Sequence, residues 1–351
     1  MTSRPRIEAR AAAFLLVLAT APAPGAATPS PPAAQAGCTV GRYHILALPL
    51  LPVAINDRGQ VLGTTADARS ATWERRSGLH ELPLPAGFAH SEGVSINARG
   101  HVVALAFDSG FTRSQGFFVA GASMALLGGE PARPRHLNDH DIVVGEARLA
   151  GRARSEPVLW TAGTVPPAGS SSAVLEPRPL GACCGGSANG IDDRGLVMGD
   201  TYDEQGRYYA FSWSEQGGLQ RIDPGDAFST AVAVNRLGTG VIQAFPQILL
   251  YSAASLTRVP LAPRPPAHAH ALNDCVVIVG DFGPFANKAR AFAWDRVGGL
   301  ADLNERIPEH SGWKLKSATG INNHGEIVGR GDPPGGLDAG FLLLPATDAA
   351  H

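Results

Sequence analysis

The sequence predicts an all-β fold, a seven-bladed β-propeller of four-stranded blades, and three observations predict it. A motif written AINDRGQVLG at residues 54 to 63 returns six more times. Between copies, an aromatic strand and a second short strand recur. Composition agrees: 17% charged residues with 42 Gly and 28 Pro suit short strands and turns better than long solvated helices.

Aligned on the opening Asn or Asp, the copies fall at Asn56, Asn97, Asn138, Asp192, Asn235, Asn273 and Asn322, spaced 41, 41, 54, 43, 38 and 49 residues apart. A period in the forties is the size of a propeller blade, and a blade that cannot bury its faces alone needs neighbours. Asn followed three residues later by Gly predicts a type I turn. In it the side chain bonds the backbone ahead and Gly takes the left-handed conformation. Gly59, Gly100, Gly195, Gly238 and Gly325 hold that position. Asp141 can tolerate it, whereas Val276 is β-branched and predicts a different turn in the sixth hairpin.

The third strand of each copy carries an aromatic: Trp73, Phe117, Trp160, Trp213, Tyr251, Trp294 and Phe341. At equivalent strand positions these are expected to pack between blades. Segments such as GLHELPL, GLQRID and GLADLN supply the fourth strand. The seventh copy lacks one, while YHILALPL at residues 43 to 50 has no copy of its own. Placing it in the last blade closes the ring and leaves no exposed edge at the join. The 54-residue spacing marks an insertion after the third copy, either a loop or an added strand.

Ahead of the repeats, Arg4, Arg6 and Arg10 precede an apolar run and small residues around Ala26 and Ala27. That order predicts a signal peptide over residues 1 to 27, with a Pro/Ala-rich linker over 28 to 42, a propeller over 43 to 346 and a tail over 347 to 351. The expected location is outside the cytoplasm, periplasmic or extracellular. Losing residues 1 to 27 removes three Arg and one Glu, which moves the formal charge from −2 to −4. Such a chain offers no basic block for nucleic acid, and no later segment is apolar and long enough to span a membrane. A monomer is expected.

The motifs AINDRGQVLG, RAFAWDRVGGLADLN and GINNHGEIVG resemble those of the bacterial extracellular HAF-repeat proteins, over about residues 43 to 345. The resemblance implies export and a propeller-like fold, and it brings no catalytic residues. Tyr209 and Arg290 stand where the His of that repeat would precede Ala-Phe.

Candidate chemistry lies in the longer loops joining second to third strands, which share one face with the connections between blades. Asp108, Asp200, Asp203, Asp281 and Asp332 sit in or beside them, where they can converge on the central mouth. Converging carboxylates can hold a divalent cation or serve as the acid and base of a glycosidase, whereas the plainer expectation is turn-forming loop acids. His268 and His270 are two apart, but no third metal ligand accompanies them. No nucleophile elbow, phosphate loop or zinc-protease motif occurs, and no cofactor is identified. Of four cysteines, Cys38 and Cys275 belong to the short-turn face, and a bond between them requires only that their lateral separation allow it. Cys183 and Cys184 belong to the other face, as a ring of adjacent residues or as free thiols.

These features lead to an expected binding propeller whose ligand is a polysaccharide or an envelope protein. The alternative is an extracellular carbohydrate-active hydrolase or lyase using loop carboxylates.

Overall fold

The computed structural model describes residues 38–163, 173–222, 225, 228–252, 255–260, 266–283 and 288–346. The expected signal peptide, most of the linker and the tail lie outside them. Seven sheets, antiparallel but for one added strand, form seven blades. The first blade comprises Leu51–Ile55, Val61–Thr64, Ser70–Glu74 and Gly78–Glu81, and the other blades follow the same order from inner to outer strand. In the seventh, Lys314–Ile321, Ile327–Asp332 and Ala339–Pro345 are completed by Tyr43–Leu48, paired from Tyr43 opposite Pro345 to Leu48 opposite Gly340. The two ends of the propeller therefore share one sheet.

The cores lie between blades. Leu62 of the first blade packs with Phe117 and Val119 of the second, Val103 and Phe118 of the second with Trp160 of the third, and the pattern continues to Leu342 against Val61 and Ala71 at the closure. Phe117, Trp160 and Phe341 are fully buried, Trp213 and Trp294 nearly so, and Trp73 and Tyr251 pack at the margins, as the repeat predicts. Each blade thus buries apolar area only through its neighbours, at about 25 cal/mol per Å².

The insertion after the third copy contributes a strand, Ala173–Leu175, which pairs in parallel with Ser123–Leu127 on the outer edge of the second blade. The third blade's outermost strand is reduced to Arg178–Pro179. The insertion thus straps two blades together.

Every inner hairpin turns alike. In the first, Gly59 N–H donates to Asn56 carbonyl O at 3.0 Å, and Asn56 Oδ1 accepts from the N–H groups of Arg58 and Gln60, each at 3.0 Å. Val276 corrects the expectation for the sixth: it adopts φ 64° and donates to Asn273 O at 3.0 Å, while Val277 N–H reaches Asn273 Oδ1 at 2.9 Å. Left-handed backbone costs a non-glycine residue about 1–3 kcal/mol and persists where surroundings over-determine it. Here the Val276 side chain is buried in the core between blades five and six, beside Cys275, which is bonded to Cys38 with 5.0 Å between their Cα atoms.

The other half of each Asn side chain couples blades. Nδ2 of Asn56 donates to the carbonyl of Asn97 at 2.9 Å, that of Asn97 to Asn138 O at 3.1 Å, and that of Asn138 to Asp192 O at 3.0 Å. The series resumes from Asn235 to Asn273 O at 3.1 Å and from Asn273 to Asn322 O at 3.2 Å, and it closes from Asn322 to Asn56 O at 3.1 Å. Asp192 interrupts it, because a carboxylate has no proton to donate to Asn235. Its Oδ2 faces Arg194 Nε at 3.3 Å instead.

Two outcomes are expected in denaturant titrations. Asn235→Asp, which removes a buried donor, should cost about 1–3 kcal/mol, whereas Asp192→Asn, which supplies the seventh amide, should raise stability by about 1 kcal/mol. Replacing both Cys38 and Cys275 with Ser opens a bond spanning 237 residues and should lower stability by roughly 3–5 kcal/mol, read from the same titration.

Candidate functional site

The channel has two unlike ends. At the hairpin end, the aliphatic side chains before each Asn, the Asn carboxamides and the residues after them surround a cavity of about 160 Å³. Arg236 fills its rim, 2.7 Å from Asp274, 3.0 Å from Asp57 and 3.9 Å from Asp139. Burial disfavours the charged guanidinium, but the hydrogen bond with Asp274 and the three carboxylates outweigh it and raise its pKa. Asn323 Nδ2 joins Asp57 and Asp274, each at 2.9 Å. This end is closed on itself by paired charges.

The long-loop end is open between blades three, four and five. Each inner strand carries a β-bulge three residues before its Asn, at Val53, Val94, Arg135, Asn189, Val232, His270 and Thr319. Bulges re-aim side chains, and three successive ones, Arg135, Asn189 and Val232, line one cavity of about 400 Å³ with Ser187, Asp200, Tyr208 and Thr230. A second cavity of about 720 Å³ shares Arg135, Ser187, Asp200 and Tyr208 and extends to Glu146, Arg154, Tyr202 and Cys184. A third, about 430 Å³, continues past Cys183, Cys184 and Arg154 to Asp203 and Glu204.

The segment CCGGS builds the wall between them. Cys183 and Cys184 are bonded to each other, with Cα atoms 3.8 Å apart. Gly186 stands at φ 133°, and a Cβ there would lie 2.2 Å from the Asp200 carbonyl oxygen, so only glycine lets the chain reach the second strand this closely. Thr201 Oγ1 donates to Gly185 O at 2.5 Å. Ser187 follows, 8% exposed, and its Oγ has no hydrogen-bond partner among the described residues.

Asp200 is buried beneath the cleft. Its Oδ2 accepts from Asn189 Nδ2 at 2.5 Å and from Thr230 Oγ1 of the next blade at 2.7 Å. Tyr208 lines the same cavity as Asp200 and Thr230. Burial first, then the Asp200 charge and hydrogen bond, push its phenol well above the usual range, so it stays protonated and can donate. Tyr202 stands beside it, ring centroids 5.0 Å apart, and is 37% exposed.

The five predicted acids do not form one constellation. Asp108 caps its own loop through Thr112 and Arg113, which hold its carboxyl below the usual range. Asp203 does the same with Gln205 and Arg207; partial desolvation opposes the shift, but the Arg207 bonds win and its pKa is lowered. Asp332 bonds Lys316 Nζ at 2.6 Å and Asp338 N–H at 3.1 Å, with its pKa also lowered. The physical reason is the plainer one: a short acid in a tight loop meets its own backbone donors first. Asp281 lies on the second strand of blade six. Burial acts to raise its pKa, but His270 at 2.6 Å, Ser317 at 3.1 Å and the His268 charge prevail and lower it. His268 and His270 fall within the inner strand itself, His268 against Phe245 at 5.6 Å. Among the described residues, no group of three or more His, Cys, Asp or Glu could hold a metal, and no helix is long and apolar enough to cross a membrane.

Sequence reasoning missed Ser187, Asn189, Arg135 and Tyr208. For Arg135 and Asn189 the signal was the position three residues before the Asn or Asp, which reads Val, Val, Arg, Asn, Val, His and Thr across the copies; Ser187 and Tyr208 had no repeat signal of their own.

Comparison with known proteins bears on the fold. No family model matches the chain, and no curated protein matches it. Solved structures do. A structure titled YCF48 bound to D1 peptide shares a TM-score of 0.52 at 10% identity, covering 92% of this chain and 100% of that one. Virginiamycin B lyase from Staphylococcus aureus shares a TM-score of 0.55 at 12% identity over 86% of this chain and 99% of that one. At such identities the likeness is one of fold: this chain is a seven-bladed propeller.

His136 gives this channel a pH dependence. It lines the hairpin-end cavity with a buried, unpartnered Nδ1; burial lowers its pKa from 6.5 to about 4 despite the opposing charges of Asp193 and Asp139. The unfolded chain accepts a proton below 6.5 that the folded state refuses, so stability is lost as pH falls from 6.5 towards 4. Between pH 7 and pH 5 the native protein should lose about 2 kcal/mol more than His136→Gln, measured by urea titration at both values.

Proposed function

We propose that this protein is an exported recognition propeller that binds a ligand or partner through its long-loop face, without turning it over. One observation carries the reading: the bulged inner strands and the CCGGS segment open joined cavities at blades three to five, while the opposite end of the channel is filled by its own ion pairs. Ligand sites are concave and fix their ligand through convergent polar groups, and this cleft is concave with a predominantly polar lining that includes Arg135, Ser187, Asn189, Asp200, Tyr208 and Thr230. Exposed aromatics extend the same face, with Phe111 stacked on His90 in blade two and Phe245 in blade five. A propeller of similar fold is bound to a peptide, which supports recognition as a use of this scaffold without naming the ligand here.

The hydrolase or lyase reading needs two carboxyl groups facing one substrate. Against it, Asp108, Asp203 and Asp332 are engaged by their own loops and neighbours, and Asp281 is held by His270 and Ser317. Two of the predicted acids border the joined cavities, Asp203 and Asp200; Asp203 is held by Arg207, and the Oδ2 of Asp200 is already bonded twice.

The test is thermal unfolding of the purified protein against neutral and acidic oligosaccharides, peptides and divalent cations, with product analysis of each mixture. A ligand at one hundred times its Kd should stabilise the protein by about 2.7 kcal/mol and yield no product. Product formation abolished by Asp200→Asn or Asp281→Asn would replace the binding reading with the hydrolytic one.

A further inference from the structure

From the cleft at blades three to five we infer the ligand class: a neutral, polyhydroxylated glycan, one sugar unit of which sits on Ser187. This rests on the recognition reading above. The first observation is the orphaned hydroxyl. Ser187 Oγ is buried, lines both the 400 Å³ and the 720 Å³ cavities, and has no partner among the described residues. A buried polar group costs free energy unless it is bonded, and a hydroxyl both donates and accepts. A ligand hydroxyl satisfies it in either sense.

The surroundings match the same ligand. The Tyr208 phenol, kept protonated beside Asp200, adds a hydroxyl to a wall where Asn189, Asp200 and Thr230 already form a bonded network. Vicinal hydroxyls of a sugar read such alternating donors and acceptors. The exposed Tyr202 ring and the Cys183–Cys184 bond add flat or apolar surface for the C–H face of the same unit.

Charge selects against acidic glycans and acidic peptides. The larger cavity is lined by two cations, Arg135 and Arg154, and two carboxylates, Asp200 and Glu146. Arg135 is paired with Glu146 at 3.1 Å, and the buried Asp200 lies in the wall nearest Ser187, where a ligand anion meets like charge. The lining is neutral in sum, with Arg135 taken by Glu146 and Arg154 Nη1 donating to the Cys184 carbonyl oxygen at 3.3 Å. Both volumes fall within the roughly 300–1,000 Å³ of small-ligand pockets.

The experiment is calorimetric titration of the purified protein with neutral hexamers of glucose, mannose and galactose, a galacturonic acid hexamer, and a mixed-sequence peptide library. At least one neutral hexamer is expected to bind, at least ten-fold tighter than the acidic hexamer. Ser187→Ala and Tyr208→Phe should each weaken it 5- to 20-fold, and Leu237→Ala, exposed on the opposite face, should leave it unchanged. Ser187→Ala should unfold at the same or a higher denaturant concentration than the native protein, because the hydroxyl it removes is unsatisfied. A purely structural serine would show loss of stability and unchanged affinity. Tyr208→Phe keeps the question open to test if Ser187→Ala fails to fold. Neutral binding indifferent to both variants, or binding of only the acidic hexamer or peptides, overturns the glycan inference while the recognition reading stands. No binding by any probe, together with no thermal shift in the wider panel, defeats both.

Discussion

The carboxamide at the head of six of the seven hairpins is the interaction on which this propeller depends. One side chain does two tasks with opposite chemical requirements. Its Oδ1 accepts from the hairpin that it opens, and its Nδ2 donates to the carbonyl heading the next blade. Serine or aspartate can supply the first bond, and only an amide supplies both at that reach. The seven copies are buried between 1% and 6% exposed, where an unmade bond costs most. The belt fixes both the pitch between neighbouring blades and the diameter of the channel that they enclose.

Closure follows from the same geometry. Once blade seven is hooked to blade one through Asn322 and Asn56, the two chain ends lie on one sheet, and Tyr43–Leu48 pairs with Ala339–Pro345. Val40 N–H donates to Asp295 of blade six at 2.8 Å, and Cys38 is bonded to Cys275 of the same blade. Three kinds of bond thus hold the closing segment across the join, where a repeat array otherwise has its weakest interface. A ring held this firmly at one end can keep irregular backbone at the other. The parallel strap Ala173–Leu175 occurs on a blade hooked on both sides, and the glycine pair before Ser187 on a blade hooked to its neighbour through Asn138.

The blade count and the closing strand were legible because both are encoded locally: a turn signal, an alternation, and one strand too few at the end. Val276 was not legible, because the reluctance of a β-branched residue to take positive φ is a local preference, and the belt, the core and the neighbouring cysteine overrule it together. The loop acids were legible as acids but not as site members. Whether Asp108 faces a mouth or its own Thr112 depends on loop backbone that no repeat specifies. The cleft was hidden for a further reason. Three of its side chains, Arg135, Asn189 and Val232, come from bulges, and a bulge changes which face a residue points to without changing the alternation in the sequence.

Blades four and six show why a repeat can carry one site rather than seven. Asp200 and Asp281 hold the same place on their second strands, opposite Ser187 and His268 respectively. Each takes a bond from its own bulge residue, Asn189 or His270, and one from a hydroxyl of the next blade, Thr230 or Ser317. The triads are equivalent, yet only one borders an orphaned group. In blade six the position of Ser187 belongs to an imidazole packed against Phe245. In blade four it belongs to a small hydroxyl beside two glycines, and the volume that an imidazole would take is left to the cleft. The scaffold repeats the anchoring network, and specificity enters through the size of the residue that the network does not hold.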